Sequence, residues 1–106
     1  MSFKDYQKQV DEWTSQFTPQ YWDVGWQLSQ LQEESGELAR EVNHYHGPKR
    51  KKESEPNSTI GKELVDVIFP LICMANNLKI DLDEEWESMM QERLRKRDVN
   101  RFPRKE

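Results

Sequence analysis

The chain has 106 residues, 34% apolar and 34% charged, with 20 acids against 16 bases for a net charge of −4. That length fits one domain, residues 1–106, and so small an apolar share gives a lone chain a thin core. A single Cys excludes a disulfide framework and a cysteine-rich zinc site, and the acidic balance argues against binding a nucleic-acid polymer.

Four Trp, four Phe and three Tyr need burial to repay their ordering entropy, so the chain should fold. No initial apolar run reads as a signal peptide, and no stretch approaches the roughly 18 apolar residues of a membrane span. A cytoplasmic protein with no membrane partner is expected.

Phe3, Tyr6, Val10, Trp13 and Phe17 recur at alternating steps of three and four, the mark of one helical face. Thr18-Pro19 should end that helix, because a residue before proline is pushed out of the helical region. Trp13, on the apolar stripe, is expected in the core. A second helix is predicted from about Pro19–Tyr21 to the Gly47-Pro48 stop, burying Val24, Leu28, Leu31, Ser35, Leu38 and Val42.

Residues 47–59 (GPKRKKESEPNST) hold no aliphatic or aromatic side chain and read as a mobile charged loop. Asn57, Ser58 or Thr59 can cap a third helix with a buried stripe of Leu64, Val67, Ile68, Leu71, Ala75 and Leu78. Pro70 lies inside that helix and removes the donor for the Asp66 carbonyl. Asp81, with Glu84 three residues on, predicts the start of a fourth helix through Trp86, Met89, Met90 and Leu94. Residues 98–106 form a flexible basic tail. No strand pattern is found. The fold class is all-α, a bundle of four to five helices whose four-helix core is completed by dimerisation, as a homodimer or a dimer of dimers.

The informative polar residues are acids. Glu34 and Glu37 sit three apart on one flank of the second helix's stripe, and Glu63 and Asp66 repeat that spacing on the same flank of the third. Antiparallel packing of a helix–loop–helix hairpin brings the two pairs together. Four adjacent carboxylates repel unless a cation neutralises them, and all-oxygen ligation suits a hard divalent ion, Mg²⁺ or Mn²⁺. Such ions fill their remaining positions with water and phosphate oxygens. Taken singly, however, these acids are ordinary solvated helix surface.

The run Leu31-Gln32-Glu33-Glu34-Ser35-Gly36-Glu37-Leu38, and then, with 25 residues between Glu37 and Glu63, the run Glu63-Leu64-Val65-Asp66-Val67, resembles the MazG family of nucleoside triphosphate pyrophosphohydrolases, which carry EExxE and then ExxD. The resemblance implies an all-α enzyme that hydrolyses a (d)NTP to its monophosphate and pyrophosphate, in a housecleaning role. It implies Mg²⁺ on Glu34, Glu37, Glu63 and Asp66, with Glu33 orienting a water or supporting the ligands from behind. Lys96 and Asn100 match a K-x-x-x-N pattern that contacts substrate in related enzymes, although Arg101-Phe102-Pro103 here follows Asn100 directly. Bases of the 49–52 block and of 93–101, Lys51 and Arg97 among them, are candidates to close over the phosphates. His44, seven residues after Glu37, is a candidate nucleotide contact.

Two other readings remain at this stage. In a di-iron carboxylate bundle, Glu41-Val-Asn-His44 would supply the one Glu-x-x-His motif available, and a second copy the other. In a non-catalytic helical interaction protein, the acids would be mere surface.

Overall fold

The computed structural model describes residues 1–105 and places four helices along the chain. They are α1 (Phe3–Thr14), α2 (Val24–His46), α3 (Ile60–Asn77) and α4 (Leu82–Ser88), the last continuing as a π-helical segment over Met89–Arg97. Among the described residues there is no strand, and no helix is long and apolar enough to cross a membrane.

Each helix start has a local cause. Ser2 and Asp5 cap α1 reciprocally, and the Thr59 and Asp81 side chains accept from Lys62 and Glu84 N–H to start α3 and α4. The N-terminus of α1 is also clamped from afar: the Phe3 and Lys4 N–H groups donate to the Asp83 carboxylate at 3.0 Å each. Gln7 and Asn76 exchange hydrogen bonds between α1 and α3, and Lys79, at φ 58°, turns the chain from α3 into α4. A Cβ at Gly47 would fall 2.8 Å from the Asn43 Cα, so only glycine lets the chain leave α2 there.

Two expected boundaries move. α1 stops at Thr14, leaving Phe17 outside it: the Gln16 side chain takes the Trp13 carbonyl at 2.9 Å, and the Phe17 N–H turns to the Thr14 carbonyl instead. α2 begins at Val24 rather than near Pro19–Tyr21, because the intervening turn is spent crossing to α3, where Tyr21 joins the core and Asn77 Nδ2 donates to the Trp22 carbonyl.

The main correction concerns the buried faces. α2 and α3 are antiparallel: Gln27 near the start of α2 meets Asn77 at the end of α3, while Glu37 further along meets Glu63. The face of α2 turned inward carries Gln27, Glu34 and Glu41 at seven-residue intervals, and that of α3 carries Glu63, Pro70 and Asn77 at the same interval. The predicted stripe residues Val24, Leu28, Val42, Leu64, Ile68, Leu71 and Leu78 lie exposed instead. Among the described residues the buried apolar side chains are Val10, Ile72, Cys73 and Ala75, with Pro70 enclosed beside them on α3.

Size agrees with this open build. The radius of gyration is 17.4 Å, where a compact chain of this length gives about 13 Å. The accessible surface is 8716 Å², against about 6,300 Å² for a monomer of this mass.

Candidate metal centre

Packing α2 on α3 by their polar faces drives the carboxylates together. Glu34, Glu37 and Glu63 each bring an oxygen to within 4.8 Å of the others. Asp66 stands outside that closest trio but lines one small cavity, about 180 Å³, with Glu37, Glu41 and Glu63. The four residues expected to act together are therefore neighbours, three of them tightly.

Glu63 is the best-defined member. It sits in the first turn of α3, where free N–H groups favour a negative charge, and is 6% exposed. Ser58 Oγ donates to its Oε1 at 2.6 Å, while its buried Oε2 has no partner. A buried carboxylate oxygen without a donor is costly, and a hard cation is the chemistry that satisfies it. Glu34 shows the same frustration. Burial, then the charge and hydrogen bond of Glu37, then the charges of Asp66 and Glu63, hold its carboxyl above the usual range. The donor set is all oxygen and strongly anionic, and it fits Mg²⁺ or Mn²⁺.

The other candidates are dispersed. Glu33 stands outside the trio, beside Trp22, Trp26 and Ser29 along a second cavity of about 330 Å³ that Glu34 also lines. His44 Nδ1 accepts the Lys51 N–H at 3.0 Å, and the Lys51 ammonium donates to Glu41 Oε1 at 2.7 Å. One lysine thus engages one atom of each member of the Glu41–His44 motif. In the tail, Lys96 pairs with Glu92 at 3.1 Å and Arg97 lies 3.5 Å from Asp98. Neither they nor Asn100 line the cavities at the acids. Glu106 lies outside the described residues.

Trp13 is not core, as expected from its stripe, but 57% exposed. It stands edge-on to Phe17 at 5.5 Å and lines an aromatic cavity of about 280 Å³ with Trp22, Phe69 and Gln27. The stripe misleads because α1 meets α3 through Val10 and Thr14, and Trp13 lies beyond that contact. Cys73, also on this cavity, has its thiol pushed up to about 11 by burial and stays protonated. Sequence reasoning missed Ser58 as a partner of Glu63 and Glu41 as a buried charge. The signal for Glu41 was its place on the same helical flank as Glu34 and Glu37.

Comparison with known proteins bears on the same residues. The model of the MazG nucleotide pyrophosphohydrolase domain matches residues 27–102. YpjD of Bacillus subtilis is 42% identical over 105 residues, covering 99% of this chain and 94% of YpjD. The crystal structure of YpjD superposes with a TM-score of 0.78 at 41% identity, over 88% of this chain and 95% of that one. The structure of the Bacillus-conserved MazG protein, a nucleotide pyrophosphohydrolase, gives 0.74 at 44% identity, over 86% and 87%.

Proposed function

This chain belongs to the MazG nucleotide pyrophosphohydrolase family, and from that premise we propose that it hydrolyses a (d)NTP to the monophosphate and pyrophosphate with Mg²⁺, or Mn²⁺ in its place, on Glu34, Glu37, Glu63 and Asp66. The observation that carries the reading is the meeting of three carboxylates within 4.8 Å, one of them with a buried, partnerless oxygen. When bound, the ion neutralises charge on the phosphate oxygens and lowers the pKa of a coordinated water. The protein's own part is positioning. Two packed helices hold the carboxylates in place before substrate arrives, so little reorganisation is left for the reaction.

Glu33, next to Glu34 and lining the second cavity, is assigned to orienting the water. Lys96, Arg97 and Asn100 of the tail, with His44 near the end of α2, are assigned to the substrate. Lys51 is held by Glu41 and is treated separately below.

A second copy of this chain completes the molecule. Two adjacent helices expose apolar stripes at helical spacing, and four buried apolar side chains and Pro70 are too few to hold a domain of this length. Pairing those stripes makes a four-helix core, as a homodimer or a dimer of dimers. The proposed setting is the cytoplasm, with nucleotide-pool housecleaning as the role.

The test is a screen of nucleoside triphosphates with Mg²⁺, following products by ³¹P NMR. Equal release of monophosphate and pyrophosphate, abolished by EDTA, is expected. Release of orthophosphate alone, or turnover indifferent to EDTA, overturns the reading.

A further inference from the structure

Loop 47–59 is stitched to the second half of α2. Lys51 donates from its backbone to His44 Nδ1 and from its ammonium to Glu41 Oε1. The Arg50 guanidinium donates to the His44 carbonyl, and Arg40 Nη1 donates to Glu55 at 3.5 Å. The Lys51 ammonium also donates to the Pro56 carbonyl at 2.8 Å, closing the loop on itself two residues before Ser58. Ser58 in turn donates to Glu63 Oε1 at 2.6 Å. One path of bonds therefore runs from Glu41 through Lys51, Pro56 and Ser58 to Glu63.

The Lys51–Glu41 pair is the costly element of that path. The two side chains are 9% and 2% exposed, and Glu41 Oε2 has no partner at all. A buried ion pair is a poor source of stability, because desolvating two charges offsets their attraction. What such a pair supplies is a fixed geometry. With two acceptors already on its ammonium, Lys51 has little left to offer a phosphate.

We propose that the Lys51–Glu41 pair positions the cation site: it holds the loop so that Ser58 engages Oε1 of Glu63 and leaves Oε2 turned to the ion. This rests on the acid cluster being a cation site, as proposed above. Lys51 and Ser58 are positioning residues, acting through Glu63. By linkage, an ion that favours the aimed Glu63 also favours the closed loop.

The experiment uses the full chain with Mn²⁺ alone, measuring affinity by calorimetry and loop opening by trypsin cleavage after Arg50 and Lys52, sites that every variant keeps. In the unaltered protein, Mn²⁺ binds and slows cleavage of the loop. Lys51→Met raises the Mn²⁺ dissociation constant about 10-fold or more, as losing a hydrogen-bonded support of a ligand does, and speeds cleavage. Ser58→Ala raises the constant while the loop stays protected, and the double variant binds no worse than Lys51→Met. Lys8→Met, altering an exposed lysine of α1, changes neither readout. Should Lys51→Met fail to fold, Ser58→Ala and the Mn²⁺ protection of the unaltered loop decide the matter. Unchanged Mn²⁺ affinity in Lys51→Met or Ser58→Ala, or loop cleavage indifferent to saturating Mn²⁺, overturns the proposal while leaving the cation site standing. An unaltered chain that binds no Mn²⁺ overturns the cation site as well.

Discussion

The inner and outer faces of the α2–α3 hairpin reverse the usual arrangement. Between the helices lie Gln27, Glu34, Glu41, Glu63 and Asn77, while Leu28, Val42, Leu64, Ile68 and Leu71 stand on the outside. A chain folding for its own sake buries the second set. The contrast assigns each face a task. The inner face holds charge in place at a cost to stability, and on the proposed reading the outer face recovers it by burial against another copy. On that reading, a pyrophosphohydrolase of 106 residues spends its small interior on holding an ion and completes its core with a second copy.

Substitutions on the two faces should therefore fail in different ways. The largest effect is expected at Glu41. Glu41→Ala leaves the Lys51 ammonium buried without its acid, a loss of about 3–5 kcal/mol. The melting midpoint should fall by more than about 10 °C, read by circular dichroism. A drop of a degree or two would mean that the pair is solvated and the inner face less closed than described.

Glu63→Gln comes next and should act on turnover rather than folding. Removing one charge from the trio is expected to lower kcat by about 10²–10³-fold, the scale of losing a preorganised electrostatic contact. Its melting curve should remain cooperative, and more than a tenth of normal turnover would remove Glu63 from the chemistry.

On the outer face, the paired substitution Leu64→Asp and Ile68→Asp should split the assembly, so that sedimentation equilibrium gives the mass of one chain, 12.8 kDa. An unaltered protein that already sediments at that mass breaks the comparison from the other side.

The smallest effect is the most diagnostic of sign. Glu34 is held above its ordinary 4.5 by burial and by Glu37, Asp66 and Glu63. The folded chain then binds more protons than the unfolded one between 4.5 and the raised value. Metal-free stability falls as pH rises through that window and stays lower above it. Glu34→Gln should remove the slope, raising the midpoint at pH 7 in EDTA and leaving it unchanged below pH 4.5. Mn²⁺ must displace the extra proton, so its affinity should weaken as pH falls through the raised value.

Much of the architecture was legible in the chain. Periodicity found the helices, Thr59 and Asp81 announced their starts, and the spacing of Glu34, Glu37, Glu63 and Asp66 located the cluster. The rotation of the helices was not legible. A helical wheel places the apolar stripe inward, whereas here the polar faces of α2 and α3 meet and leave Leu28, Leu64 and Ile68 exposed. Trp13 was misplaced for a related reason, since burial on α1 follows where α3 crosses it. The stitching of the loop was hidden because a run of bases without apolar residues reads as solvated. Only the distance from Lys51 to Glu41, ten positions away, shows one of them to be internal.

The claim beneath all of this is that the inner acids exist to hold an ion. Crystals grown with MnCl₂ and measured at a wavelength where manganese scatters anomalously test it directly. A peak bounded by the carboxylates of Glu34, Glu37 and Glu63, with Asp66 alongside, is the predicted result. A map with these side chains well ordered and no anomalous density between them at saturating Mn²⁺ contradicts it.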